Sequence, residues 1–456
     1  MTKLVCIDCM SPNALKDLLA AEGTAGQCFF CHGQNLCITT RALYDYLWDR
    51  IRENIVFIDK LSDYEQAMIY ECGSDDIQIA TIDVVLSEWL GLGEDPYIDD
   101  AIENLPDDLR QDEYGNQRHF FMDEGNLERN PYDDKWVAFV RGITHVHRFF
   151  NSGASAFLDK IFADLVDVKG SIATSRLLVL QPGVALYRAR KVDGLESAQK
   201  LAENPGAEFG PTPPWLAGNQ RMTPSGISAL YCALDRDTCL SEIRSITGDN
   251  VVSVALSPIN SMIFLDISRL ADGQAADLSM LQEGYLDQVH RRSFIRSLVS
   301  KMSRPKRTGD ELTYLSTQVV FEYLRMKIGE TAQGIAFPSV QTGRKGVNIA
   351  VFPEYCLIAS SISADTDNSI SQGSAFLSVV PDSAVFHRIT AISTSATTYL
   401  SANHLFMDEP TKRRLGDHGT ESWREADRKM QYMETGGVSV TPKTGRVNRF
   451  MRQRLG

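Results

Sequence analysis

The chain has 456 residues, of which 43% are apolar and 23% charged, ordinary usage for a globular protein long enough to bury two or three cores. This composition excludes disorder along the whole length. No apolar run approaches the roughly 20 residues needed to span a bilayer, and the opening MTKLVCIDC lacks the charged, apolar and cleavage segments of a secretory signal, so a cytoplasmic protein with no membrane partner is expected. The net charge of −13 is unevenly spread. Between Glu94 and Asp134 stand 14 acidic side chains against Arg110, Arg118 and Arg129, a surface that repels nucleic acid. From Thr411 to Gly456, 11 Lys and Arg face five acidic residues, and the tail is basic.

In chain order, the first signal is Cys6-Ile-Asp-Cys9 followed eighteen residues later by Cys28-Phe-Phe-Cys31. Two such knuckles suit a tetrahedral structural zinc site, because each tight turn aims two thiolates at one ion and four thiolates leave no open position for a catalytic water. His32 and Cys37 lie close enough to replace a knuckle cysteine, and a redox role for either Cys-x-x-Cys is the lesser option. Residues 40–92 carry helical periodicity in TTRALYDYLWDRIRENIVFI, SDYEQAMIY and IDVVLSEWL, which predicts a small α-rich bundle beside the metal. The acidic, turn-rich stretch 93–134 leads into the helix KWVAFVRGITHVHRFF, which closes an accessory domain over residues 1–150. Arg141 and His147 in that helix have the R-x5-H spacing of HEPN ribonucleases, a weak signal that an amphipathic helix produces by chance.

After the helix ASAFLDKIFADLV, two β-like runs flank Gln181-Pro182-Gly183 in RLLVLQPGVALYRARKV. A long Pro-rich loop ending in RMTPSG then precedes the strand ISALYCAL and a helix beginning near Asp237. VVSVALS, MIFLDIS, GIAFPS and GVNIAVF read as strands and YLSTQVVFEYLRMKIG as a helix. The irregular alternation predicts a compact mixed α/β (α+β) domain around a twisted sheet, over residues 175–400. No G-x-G-x-x-G follows a strand and opens a helix, so a Rossmann site is not expected. The segment SQGSAFLSVVPDSAVFHRITAISTSATTYL alternates like strands that extend the sheet or form an appendage, and residues 408–456 form a basic extension.

Within this second domain, LYRAR at 186–190, RMTPSG at 221–226, the L-Y-x-A strand with the E-x-R helix that follows it, YLSTQ at 314–318 and GIAFPS at 334–339 together resemble the RES domain, over roughly residues 175–355. Residues 1–150 resemble an N-terminal domain found ahead of both HEPN and RES domains, which implies an accessory role. The RES resemblance implies an ADP-ribosyltransferase-like catalytic fold, NAD+ as the substrate, and an NAD+ glycohydrolase or NAD+ phosphorylase acting as an intracellular toxin. Such a toxin is held by an antitoxin or released by a phage-derived trigger in anti-phage defence. It also assigns residues. Arg188 and Arg221 match the family's arginines, Tyr231 and Glu242 the tyrosine of its strand and the glutamate of its helix, Ser339 its serine, and Thr317 and Gln318 its Y-L-P-T-Q helix start. Thr223 and Ser316 depart from the usual Asn and Pro, but both keep turn chemistry available.

Those residue types suit the chemistry. Breaking the nicotinamide–ribose bond builds oxocarbenium-like charge that a carboxylate, Glu242, stabilises. The pyrophosphate calls for planar guanidinium forks, Arg188 and Arg221. Tyr231 offers a ring to the cationic nicotinamide, and Ser339 a hydrogen bond to a ribose or phosphate oxygen. Taken singly, each has a blander reading: a solvated helix Glu, a core Tyr, an ion-paired Arg244. Two alternatives stay open: an ADP-ribosyltransferase modifying a protein or nucleic acid, and a non-catalytic, zinc-dependent binding module. A homo-oligomer is compatible with the sequence; nucleic acid is not the expected partner, and its binding would fall to the basic tail or, in the non-catalytic alternative, to the zinc domain.

Overall fold

The computed structural model describes residues 3–61, 66, 79–122, 130–167, 170–270, 279–303, 312, 314–343, 345–359 and 375–392. The segment SDYEQAMIY falls largely outside these residues, and the basic extension 408–456 lies wholly outside them. The described chain forms two compact units, one from residues before Asp134 together with 279–293, the other from Asp134 to Leu270 together with Phe294 onward.

In the first unit, β1 (Leu4–Cys6), β2 (Thr24–Gln27) and β3 (Gln34–Thr39) make a small antiparallel sheet in the order β1-β3-β2, with Cys6 opposite Cys37. Helix α1 (Asn13–Glu22) fills the chain between the two cysteine pairs, and α2 (Thr40–Asn54) follows β3 directly. The Thr39 side chain caps α2 by accepting from the Ala42 N–H (3.2 Å), which satisfies an orphan donor of the first turn. Leu43, Leu47, Trp48 and Ile51 recur at helical spacing and are buried with Leu15 and Leu19 of α1. The segment IDVVLSEWL contains a π-helical turn over Val85–Trp89. Short strands β4 (Val56–Phe57), β5 (Ile79–Ala80) and β6 (Phe120–Phe121) form a second sheet in the order β4-β6-β5.

The second unit is a mixed α/β fold. Helix α3 (Pro131–His145) and α4 (Ser152–Ile161) meet through aromatic contacts: Trp136 lies 5.0 Å from Phe139, which lies 5.4 Å from Phe157. Arg141 and His147 are both exposed, and His147 lies beyond the end of α3, so the pair is not set on one helical face. The sheet has ten strands: β7 (Leu177–Leu180), β8 (Leu186–Val192), β9 (Leu230–Ala233), β10 (Asn250–Pro258), β11 (Met262–Asp266), β12 (Gly334–Pro338), β13 (Val347–Val351), β14 (Ile358–Ala359), β15 (Leu377–Val379) and β16 (Val385–Arg388). Their order is β14-β15-β10-β8-β9-β13-β12-β11-β7, with β16 also pairing β10. Pairing is antiparallel except for β11 with β12 and β14 with β15. Residues 377–388 therefore extend the main sheet through β10. That strand is buried on both faces from Val251 to Pro258, which explains its nearly unbroken apolar run. Its side chains join Leu186, Phe264, Ile349 and Val351 in one core.

One polar interruption in β10 is Ser253, fully buried, whose hydroxyl meets His387 Nε2 of β16 at 2.8 Å and also accepts from the Arg236 guanidinium. Burial, and then the charge of Arg236, hold the His387 pKa below its ordinary value. Protonation is therefore less favourable in the folded than in the unfolded chain, so the stability tied to this group is complete above about pH 6.5 and declines as pH falls toward the lowered value. The expected result is a melting temperature that drops on acidification below pH 6.5, with a smaller drop in His387→Gln, read by thermal melts across pH.

Candidate functional site

Glu242 is positioned by the helix that ends on it, α5 (Arg236–Glu242). Asp235 caps this helix twice: one carboxylate oxygen accepts from the Thr238 N–H and the other from the Thr238 hydroxyl, each at 2.7 Å. At the other end Arg244 takes a left-handed backbone (φ 47°), which turns the chain sharply and leaves both Glu242 and Arg244 on the wall of one cleft. The cleft, of about 350 Å³, is also lined by Arg188 of β8, Gln220 and Arg221 of the Pro-rich loop, Tyr231 of β9 and Asn348 of β13. It falls toward the small end of ligand pockets, which run from about 300 to 1,000 Å³.

The Glu242 carboxylate is fixed on one side. Ser339 Oγ donates to Oε1 at 2.6 Å and Asn348 Nδ2 donates to the same oxygen at 2.7 Å. Both donors are at most 5% exposed, and among the described residues Oε2 takes no hydrogen bond. Neutral donors gathered on one oxygen orient the group and leave the second oxygen open to whatever enters.

Ser339 is held in turn by Gly346, whose carbonyl accepts the Ser339 N–H at 2.8 Å. A Cβ on Gly346 would lie 1.8 Å from Thr238 Oγ1, the hydroxyl that helps cap α5. Gly346→Ala is thus expected to push α5 off the sheet, costing about 1–3 kcal/mol of stability and lowering turnover more than substrate binding. Thermal melts and a kcat/KM split would show this.

The cations are arranged differently. Arg188 donates from Nη1 to the Tyr231 carbonyl (2.9 Å) and from Nη2 to the Gly210 carbonyl (3.3 Å), and its buried Nε has no partner. Arg221 likewise has a buried Nη1 without a partner. Among the described residues neither is paired with a carboxylate, and Arg244 makes no ion pair there either. Burial, with some help from Arg190, lowers the Arg188 pKa, the mark of a cation lacking its counter-charge. Two guanidiniums with orphan N–H groups and, among the described residues, no carboxylate paired to them suit an anionic ligand such as a phosphate.

Of the remaining sequence-predicted residues, Tyr231 is part of this wall and the others brace it. The Tyr231 hydroxyl accepts from the Met222 N–H (3.1 Å) and lies 3.4 Å from Thr223 Oγ1, tying the strand to the loop that carries Arg221, and burial raises its pKa. Thr317 and Gln318 stand on α6 (Leu315–Ile328) and do not line the cleft. Thr317 Oγ1 donates to the Arg221 carbonyl (2.6 Å), and Gln318 Nε2 to the carbonyls of Gln220 (2.7 Å) and Thr223 (3.2 Å). Ser339 reaches the cleft only through Glu242. Thus the structure brings Arg188, Arg221, Tyr231 and Glu242 to one surface and sets Ser339, Thr317 and Gln318 as their supports. Asn348 and Gln220 were missed by the sequence reading. A lone Asn in the apolar run GVNIAVF was the available signal for the first, and none marked the second.

Residues 185–368 match the family model of the RES domain. The chain carries a RES domain. The RES match spans every cleft residue named above, from Arg188 to Asn348. No curated protein and no solved structure matched the chain.

A separate cluster lies in the first unit. The thiol sulfurs of Cys6, Cys9, Cys28 and Cys31 all fall within 4.8 Å of one another, with Cys6–Cys9 at 3.7 Å, Cys6–Cys31 at 3.4 Å and Cys9–Cys28 at 3.8 Å. Four sulfurs each about 2.3 Å from a central ion in a tetrahedron are about 3.8 Å apart, so the cluster could hold a metal as it stands. The first pair sits where β1 passes into a 3-10 turn, the second at the tip of the β2–β3 hairpin, where His32 adopts φ 60°. Cys37 is outside the cluster, its thiol directed at the carbonyls of Gly26 and Asn35. Among the described residues no helix is long and apolar enough to cross a membrane.

Proposed function

We propose that the RES domain cleaves the nicotinamide–ribose bond of NAD+ by hydrolysis or phosphorolysis. The observation that carries this reading is the pairing, in one cleft, of an ionisable carboxylate fixed on a single oxygen with two arginines that have orphan N–H groups and no acidic partner. Arg188 and Arg221 hold the phosphates next to the reacting ribose, and Tyr231 lines the nicotinamide side. As the C1′–N1 bond breaks, its electron pair leaves with nicotinamide, which becomes neutral, and the positive charge passes to the ribose. Glu242 Oε2 faces that charge, and a fixed carboxylate there stabilises it as it develops. Water or a phosphate oxygen then closes on C1′, and a proton released by water has Glu242 as its acceptor.

The four-cysteine cluster is read as a structural zinc site, since a complete thiolate set leaves no position for substrate. The residues before about 150 serve as an accessory domain, and 175–400 as the catalytic domain. Uncontrolled loss of NAD+ is harmful to any cell, so the activity suits a toxin restrained by a partner protein.

Purified protein incubated with NAD+, with and without inorganic phosphate, tests the reading. Free nicotinamide with ADP-ribose identifies hydrolysis, and a phosphorylated ADP-ribose phosphorolysis. A labelled macromolecule would identify ADP-ribosyl transfer instead, and NAD+ left intact by wild type and Glu242→Gln alike would overturn the proposal.

A further inference from the structure

The cleft wall holds one more unsatisfied group. Gln220 Oε1 is buried and has no hydrogen-bond partner, and Gln220 lines the cleft beside Arg221. A buried amide oxygen left without a donor is unfavourable, and a ligand that supplies the donor removes that penalty. The backbone around it is pinned. The Gln220 N–H donates to the Thr223 carbonyl (2.9 Å), and its own carbonyl accepts from Gln318 Nε2 (2.7 Å). That anchorage leaves the side chain as the part of the residue free to meet a ligand, presented from a backbone that need not rearrange.

The three orphan polar atoms on this wall differ in kind. Arg188 Nε and Arg221 Nη1 are donors on cations and call for an anion, whereas Gln220 Oε1 is a neutral acceptor and calls for an N–H or O–H. At the pyridinium end of the dinucleotide, the ring carboxamide offers a neutral N–H donor and a neutral carbonyl acceptor side by side on one planar group. A primary amide pairs with another primary amide reciprocally, each giving one N–H and taking one. We propose that Gln220 reads the nicotinamide carboxamide by such a pair and so selects an amide over a carboxylate at that ring position. A carboxylate there would set its own oxygen against Gln220 Oε1, leaving two acceptors facing each other and no proton between them.

This inference rests on the proposed NAD+ reading but is tested separately from it, by binding rather than turnover. Nicotinamide and nicotinate are titrated into the full-length protein and into Gln220→Glu and Gln220→Ala, with calorimetry or ligand-observed NMR as the readout and a thermal melt confirming that each variant is folded. Wild type is expected to bind nicotinamide at least about tenfold more tightly than nicotinate, Gln220→Ala to lose most of that preference, and Gln220→Glu to weaken nicotinate further. Equal binding of the two ligands by wild type, or an unchanged preference in Gln220→Ala, would overturn the assignment. In parallel, consumption of NAD+ and of its nicotinic acid counterpart is compared. A protein that consumes neither but keeps the Gln220-dependent binding preference contradicts the proposed reaction while leaving the recognition role standing. Rapid consumption of both at similar rates contradicts the recognition role while leaving the reaction standing.

Discussion

Glu242→Gln is expected to reduce NAD+ consumption by about a thousandfold, some 4 kcal/mol of lost transition-state stabilisation, with the melting temperature changed by no more than about 2 °C. The substitution is nearly isosteric, and its amide oxygen still accepts from Ser339 and Asn348, which now both point at Oε1 of Glu242. Only the charge is removed. A carboxylate opposite an oxocarbenium-like centre acts on charge that develops as the bond breaks, so the loss should fall on kcat and leave KM within a few fold. Asn348→Ala and Ser339→Ala provide the graded comparison. Each removes one of two donors and frees the carboxylate to rotate, so each is expected to cost about ten- to a hundredfold, less than removal of the charge itself. Steady-state kinetics on the purified variants, with circular dichroism as the fold control, would check the series. A Glu242→Gln enzyme that retains wild-type turnover would show that the carboxylate is not part of the reaction.

The second large effect is expected at the cysteine cluster. Cys9→Ser removes one of four sulfurs that stand close to tetrahedral separation, and a three-thiolate site both binds zinc more weakly and admits water. The surrounding sheet has only three short strands, so metal affinity contributes directly to its folding, with about 10–16 kcal/mol typical of structural zinc in small domains. Metal analysis should find one zinc per wild-type chain and close to none in Cys9→Ser, accompanied by a loss of at least about 10 °C in the first thermal transition. Chelator treatment of the wild type should reproduce that loss. Cys37→Ser is the control, because Cys37 is buried next to the cluster but directs its sulfur at backbone carbonyls. It should keep the full zinc content.

How far the site could be read from the chain differed between its parts. The segment from Arg221 to Glu242 was legible because local rules act there. A loop feeds a short, mostly buried strand that carries Tyr231, Asp235 caps a helix, and Glu242 lies two turns further on the same helix. The cysteine pairs were legible for a similar reason, since a knuckle is a local turn and its spacing is its geometry. By contrast, the support roles of Thr317 and Gln318 could not be read from α6. Their partners are the backbone of residues 220–223, nearly a hundred positions away, and nothing in a helix sequence says which loop will lie over it.

The sequence by itself determined the main element types of the second unit, the chemistry available and the family to which they pointed, because periodicity, capping and residue type are properties of short stretches. The two small sheets of the first unit, expected as an α-rich bundle, escaped it because their strands are two to six residues long and pair across the chain. Nor did the sequence determine the strand order. β7 and β8 are separated by a single short turn in the chain, yet β7 lies at one edge of the sheet, paired with β11, and β8 is separated from it by β9, β13, β12 and β11. Only the tertiary structure decided that, and with it the meeting of Asn348 from β13 and Ser339 from the end of β12 on one oxygen of Glu242. The physical reason is that strand pairing satisfies backbone groups that every residue carries alike. Register is therefore chosen by the burial of whole faces, a sum over many distant side chains and not a property of any one segment.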